Sequence, residues 1–160
     1  MVDTSEQYYF FDEVFFHEEN FCFDNEMLRE ITSRALTKVP SKIVDDLFNN
    51  CLAIIQENDA SYYPNHIFKN KSLIVFSEKI KEFSKEERED LVMHEVAHFH
   101  LRHKSFFDKD NEYIQALKGE EFSAFYKESM SRFEKQEVEA DKTVKLWLDK
   151  YEQWRKKEND

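Results

Sequence analysis

Ser84-Lys85-Glu86-Glu87-Arg88-Glu89-Asp90-Leu91-Val92-Met93-His94-Glu95-Val96-Ala97-His98 organises this chain, and the rest is read outward from it. Ser84 and Glu87 form an S-x-x-E capping box, which satisfies two orphan N–H groups of a first helical turn, and good helix formers follow. On the helix predicted there, Leu91, Val92, Met93, Val96, Ala97, Phe99 and Leu101 are spread around nearly the whole wheel, so it is expected to be largely interior. His94, Glu95 and His98 are then polar groups in an apolar element, and leaving them unpaired is costly. His94-Glu95-Val96-Ala97-His98 is also H-E-x-x-H: the spacing stacks two imidazoles on one helix face, where they bind one metal ion, with Glu95 beside its open position. A divalent cation answers both imidazoles and gives the carboxylate a charged neighbour.

Two imidazoles need a third ligand, and Glu137-Val138-Glu139-Ala140-Asp141 supplies a candidate on the predicted final helix. Met130, Phe133, Ala140, Val144, Leu148 and Tyr151 all fall within about 60° of Glu137 on a 3.6-residue wheel, so that carboxylate points at the core. Asp141, one turn later on the same face, is placed to accept the free ring N–H of a ligand histidine, fixing its tautomer. Glu139 is expected to face solvent. The competing structural role for Glu137 is a partly buried salt bridge to Arg102 or Lys145. His100 and His103 follow the motif without enlarging it: the metzincin pattern H-E-x-x-H-x-x-G-x-x-H needs glycine at Leu101 and histidine at Lys104. His17 and His66 are isolated and read as ordinary histidines.

Outward from this core, Leu28, Ile31, Ala35 and Leu36 predict a helix that stops before Pro40. A second helix is predicted with Ser41 as its cap and an apolar face from Ile43 through Cys51, Leu52, Ile54 and Ile55, running out at Glu57-Asn58-Asp59. Ser72-Leu73-Ile74-Val75-Phe76-Ser77 reads as a strand, in a hairpin with His66-Ile67-Phe68 turning at Lys69-Asn70-Lys71. Residues 8–23, with eight aromatic residues among acids, are read as core, with a partner surface as the other reading. The final helix ends on Arg155-Lys156-Lys157, cations that suit its negative dipole end.

Composition limits the function. The 160 residues carry 23 Lys and Arg against 34 Asp and Glu, a net charge of −11, which opposes binding to a phosphate backbone. A DNA-mimicking acidic surface would array its carboxylates on one face, whereas here they are interspersed with lysines. With 41% hydrophobic and 16% aromatic residues the chain can bury a core as one domain over 1–160. One glycine and two prolines disfavour a turn-rich all-β fold. No run of apolar residues is long enough to span a bilayer, Met1–Gln7 is unlike a signal peptide, and Cys22 and Cys51 are isolated. The expectation is a cytoplasmic protein with no membrane or nucleic-acid partner.

H-E-x-x-H on one helix and E-x-x-A-D on a later one resemble the gluzincin metallopeptidases, being similar to their HtpX-like and ImmA/IrrE-like branches. HtpX-like proteins are membrane-embedded and ImmA-like ones usually carry Asn where Asp141 stands, so the resemblance is taken at the level of the clan. It covers roughly residues 72–150, behind an aromatic-rich helical part over 1–70. It implies an α+β, mostly helical zincin-like domain with a small edge β-hairpin or sheet beside the active-site helix, strand 72–77 forming the edge along which substrate lies extended. It further implies one Zn2+ held by His94, His98 and Glu137, with Asp141 supporting a ligand. Glu95 would activate a zinc-bound water to hydrolyse a peptide bond in a protein or peptide substrate, passing the proton to the leaving amine. Tyr62, Tyr63, His66, His103, Tyr126 and Tyr151 are candidates by type for stabilising the oxyanion. The alternative function is a non-catalytic acidic protein-binding module with a structural or vestigial metal site, although a closed structural site would be expected to use four protein ligands, often with Cys.

Overall fold

The computed structural model describes residues 26–56, 61–68, 71–104 and 111–158, and they are mostly helical. Helix α1 (Glu26–Thr37) leads through Pro40 into α2 (Ser41–Asn50). Strands β1 (Cys51–Gln56), β2 (Ser61–Phe68) and β3 (Lys71–Ser77) follow, then a 3-10 turn at Glu78–Glu82. Helix α3 (Lys85–Leu101), the short α4 (Asn111–Ala116) and the 39-residue α5 (Glu120–Glu158) complete the chain. The aromatic segment 8–23, with His17 and Cys22, lies outside the described residues, as do Glu57-Asn58-Asp59 and the tip of the β2–β3 hairpin.

The expected second helix and the expected edge strand are both corrected. The predicted second helix ends at Asn50, and Cys51–Gln56 is a strand paired parallel to β3, with Cys51 opposite Ser72 and Gln56 opposite Ser77. Leu52-Ala53-Ile54-Ile55 is a short continuous apolar run, a pattern that fits a buried parallel strand as well as a helix face. Ser41 does not cap α2 either: the N-cap residue is Pro40, with no side-chain cap bond, and Ser41 is the first helical residue. The second correction concerns residues 72–77, which are no edge. The strand order is β1-β3-β2, so β3 is central, parallel to β1 and antiparallel to β2. Leu73, Ile74, Val75 and Phe76 are all buried, as a strand covered on both faces requires.

Helix α3 is the hub. Ser84 caps it, its hydroxyl accepting from Glu87 N–H at 3.3 Å while the Glu87 carboxylate accepts from Ser84 N–H at 2.8 Å. Val92, Met93, Val96, Ala97 and Phe99 are buried in the main core with Ile31, Ala35 and Leu36 of α1, Leu47 of α2, and Ile74 and Phe76 of β3. Leu101, expected inside, is exposed at the helix end. The Lys38 ammonium, just past α1, bonds the Glu89 carboxylate of α3. Helix α5 docks on α3 through Ala140, Val144 and Trp147. At about 1.5 Å per residue it is about 58 Å long; Phe133, predicted on its apolar face, is 40% exposed, whereas Ser129, one turn earlier, and Gln136 are buried. The chain's one glycine, Gly119, stands at φ +53° in the turn before α5, a conformation it adopts without Cβ strain. No helix among the described residues is long and apolar enough to cross a membrane.

Candidate metal centre

His94 and His98 lie one turn apart on α3, and α5 brings Glu137 against them. The two Nε2 atoms are 3.0 Å apart. Glu137 Oε2 is 3.2 Å from His94 Nε2 and Glu137 Oε1 is 3.3 Å from His98 Nε2. Donors around a tetrahedral zinc with bonds of about 2.0–2.1 Å are separated by about 3.3 Å, and each of these separations, with one carboxylate oxygen facing each imidazole, lies close to that value. Asp141 Oδ1, one turn along α5, is 3.0 Å from His94 Nδ1.

Hydrogen bonding alone leaves this arrangement short of a positive charge. The Asp141 carboxylate only accepts, so His94 donates through Nδ1–H, and in a neutral ring Nε2 is then a bare lone pair. That lone pair faces the Glu137 carboxylate, acceptor against acceptor, unless a proton or a metal ion lies between them. The residues therefore fit a divalent cation. Arg102, one of the two cations weighed as a salt-bridge partner for Glu137, instead bonds Asp46 at 2.6 Å and lies over the Phe99 ring.

Glu95 is 6% exposed, and burial, reinforced by the nearby Glu137 charge, pushes its carboxyl up to about 8. His98 moves the other way: burial first, then the neighbouring His94 and His103, hold it down to about 3, so its ring is neutral and able to ligate. The centre adjoins a groove of about 630 Å³ between α3 and α5. Phe83, Leu91, Val144 and Leu148 give the groove its apolar walls, and His94 and Asp141 stand at one side.

His103, expected to leave the motif unenlarged and named only as an oxyanion candidate, lies against His98. Leu101 ends α3, Arg102 turns left-handed at φ 55°, and His103 folds back, 6% exposed, beside His98 instead of continuing the helix. Its N–H reaches His98 O at 3.1 Å while Arg102 N–H reaches Phe99 O at 3.1 Å, the paired bonds of a Schellman closure. A glycine at 102 would have announced this turn; an arginine did not. The His103 ring meets His98 at 76°, Nδ1 to Nδ1 at 2.9 Å, and its Nε2 is 3.3 Å from Glu139 Oε2. Glu139 is thus largely exposed, as expected, yet engaged through its carboxylate.

The other candidates fall elsewhere. His100 is exposed, its ring 6.0 Å from Trp147, outside the cluster. Tyr126 and Tyr151 sit on α5, 11 and 14 residues from Glu137, about 16 and 21 Å along its axis. Tyr62, Tyr63 and His66 are on β2, where the backbone path alone is described. Cys51 is fully buried and not in a disulfide. No family model matches the chain, and no curated protein or solved structure does either.

Proposed function

We propose that this protein is a zinc-dependent metallopeptidase of gluzincin type, acting on a protein or peptide substrate in the cytoplasm. The observation that carries the reading is the convergence of His94 and His98 with Glu137, 39 residues beyond His98, their ligand atoms within 4.8 Å of one another. In this reading His94, His98 and Glu137 hold the metal and Asp141 orients the His94 ring. A zinc ion held there would supply a Lewis acid that polarises the scissile carbonyl and acidifies water. Glu95 is the base: it takes one proton from the attacking water and returns it to the departing amine, so proton and leaving group balance. A carboxyl lifted towards neutrality by burial is suited to holding that proton between the two steps, and a nearby divalent charge would draw it back towards ionisation. The groove beside His94 offers room for an apolar side chain of the substrate.

Purified protein should take up about one zinc per chain, and His98→Ala and Glu137→Ala should each abolish that uptake; retention in both removes the centre. Glu95→Gln should keep the metal while losing about 10²–10⁴-fold in peptide hydrolysis. Full turnover by that variant eliminates Glu95 as the base. Zinc uptake by the wild type with no hydrolysis of any peptide in a diverse library would favour a metal-holding binding module instead.

A further inference from the structure

We propose that His103, backed by Glu139, is a positioning residue that fixes the His98 ring in the one tautomer able to ligate a metal through Nε2. The inference rests on the metal-centre reading above and adds a residue to it. Glu139 Oε2 accepts and does not donate, so the His103 nitrogen facing it, Nε2 at 3.3 Å, carries the hydrogen. In a neutral ring His103 Nδ1 is then a lone pair. It lies 2.9 Å from His98 Nδ1, which must therefore donate. His98 Nε2 is left bare, and it is this atom that lies 3.0 Å from His94 Nε2 and 3.3 Å from Glu137 Oε1. Without this chain His98 is free to carry its hydrogen on Nε2, where it would block the metal.

The arrangement is held by backbone as well as side chains. The Schellman closure through Arg102 seats His103 against His98. Gln136 of α5 donates to Lys104 O at 3.3 Å, tying the segment after His103 to the helix that carries Glu137 and Glu139. Each ligand histidine then has its own acceptor: His94 has Asp141 directly, and His98 has Glu139 through the His103 ring. The stretch Glu137-Val138-Glu139-Ala140-Asp141 thereby supplies one carboxylate to the centre and two behind it.

The test is zinc affinity, measured by competition with a chromogenic chelator, on folded wild type, His103→Ala, His103→Gln and Glu139→Ala. Removing an outer partner of a metal-ligating histidine typically costs 10–100-fold in metal affinity, so His103→Ala should raise the zinc Kd by about that factor. His103→Gln, whose amide can accept from His98 and donate to Glu139, should recover most of the loss. Glu139→Ala should show a smaller loss in the same direction; Glu139 is 63% exposed, so this variant reports even if His103→Ala does not fold. Long-range ¹H–¹⁵N correlation on zinc-loaded wild type should find His103 protonated on Nε2 and bare on Nδ1, and His98 the reverse. Unchanged affinity in the folded His103 and Glu139 variants, or a His103 ring protonated on Nδ1, overturns the proposal while leaving the centre standing. A wild type that takes up no zinc overturns both, which distinguishes the two failures.

Discussion

In the metal-free protein Glu95 and His98 pull folding stability in opposite directions as pH changes. Burial and the Glu137 charge raise Glu95 from 4.5 to about 8, so the folded chain keeps a proton that the unfolded chain releases. Stability from this source is complete below pH 4.5 and is lost as pH rises through 8. Burial, then His94 and His103, lower His98 from 6.5 to about 3, so the unfolded chain takes up a proton that the folded one refuses. That contribution is complete above pH 6.5 and is lost as pH falls through 3. Between 4.5 and 6.5 the two slopes cancel, and above 6.5 Glu95 alone sets the decline. Metal-free Glu95→Gln should therefore be flatter than metal-free wild type from pH 6 to 8, gaining on the order of 1–3 kcal/mol on it. Urea melts across that range check it; parallel curves would show that Glu95 is not the buried acid. At this scale the sequence was readable where proximity follows spacing, as in the H-E-x-x-H pair and the carboxylate at 137 that meets it. It was unreadable where a role depends on a turn, because His103 joins His98 only after the chain reverses at Arg102.

Element boundaries were legible where a side-chain pattern, a proline or a run of cations marks them, as at the start of α3 and the ends of α1 and α5. Ser84 and Glu87 mark the beginning of α3 through a side-chain pattern that only a helix N-terminus satisfies. The end of α2 carries no such mark: Cys51 takes an extended conformation and Leu52-Ala53-Ile54-Ile55 reads equally well as helix or strand until β3 is known to lie beside it. The end of α3 is concealed by an arginine in the left-handed conformation, which costs an L-residue about 1–2 kcal/mol relative to glycine. Part of that cost is offset by the Asp46 bond at 2.6 Å and the guanidinium over Phe99 at 4.4 Å. Arg102→Gly should thus stay within about 1 kcal/mol of wild type, since conformational relief and lost contacts nearly balance. Arg102→Val loses the same contacts and keeps the strain, worsened by a β-branch, so it should be less stable than Arg102→Gly by about 1–2 kcal/mol. It should also bind zinc more weakly, as His103 is unseated. Equal melting and equal zinc affinity for the two variants would show that the turn does not govern His103.

At the scale of the whole molecule His94, His98 and Glu137 meet only because α3 and α5 pack closely, with small Ala140 in that contact. Ala140 is fully buried at that contact, one turn after Glu137 and next to Asp141, with Val144 and Trp147 continuing the same seam. The sequence reading placed Ala140 and Val144 on this face but not Trp147, and placed Phe133 there although it is exposed and Ser129 and Gln136 are buried instead: a wheel ranks residues around a helix and does not show which of them its neighbours cover. Extra methylenes in such a seam cost about 1–3 kcal/mol, and here the strain is relieved by moving α5 outward, which carries Glu137 from the imidazoles. Ala140→Leu should therefore lose stability and zinc affinity together. Val138, between the same carboxylates but half exposed, is the matched control: Val138→Ala should stay within about 0.5 kcal/mol in stability and leave zinc binding unchanged. Linkage sharpens the comparison, because zinc at 100 times its Kd stabilises a folded state that alone binds it by about 2.7 kcal/mol. Thermal melts with and without a fixed excess of zinc should show that gain in wild type and Val138→Ala and little of it in Ala140→Leu. A full zinc-dependent gain in Ala140→Leu would mean that the imidazoles hold the ion without α5, and the three-ligand centre would have to be abandoned.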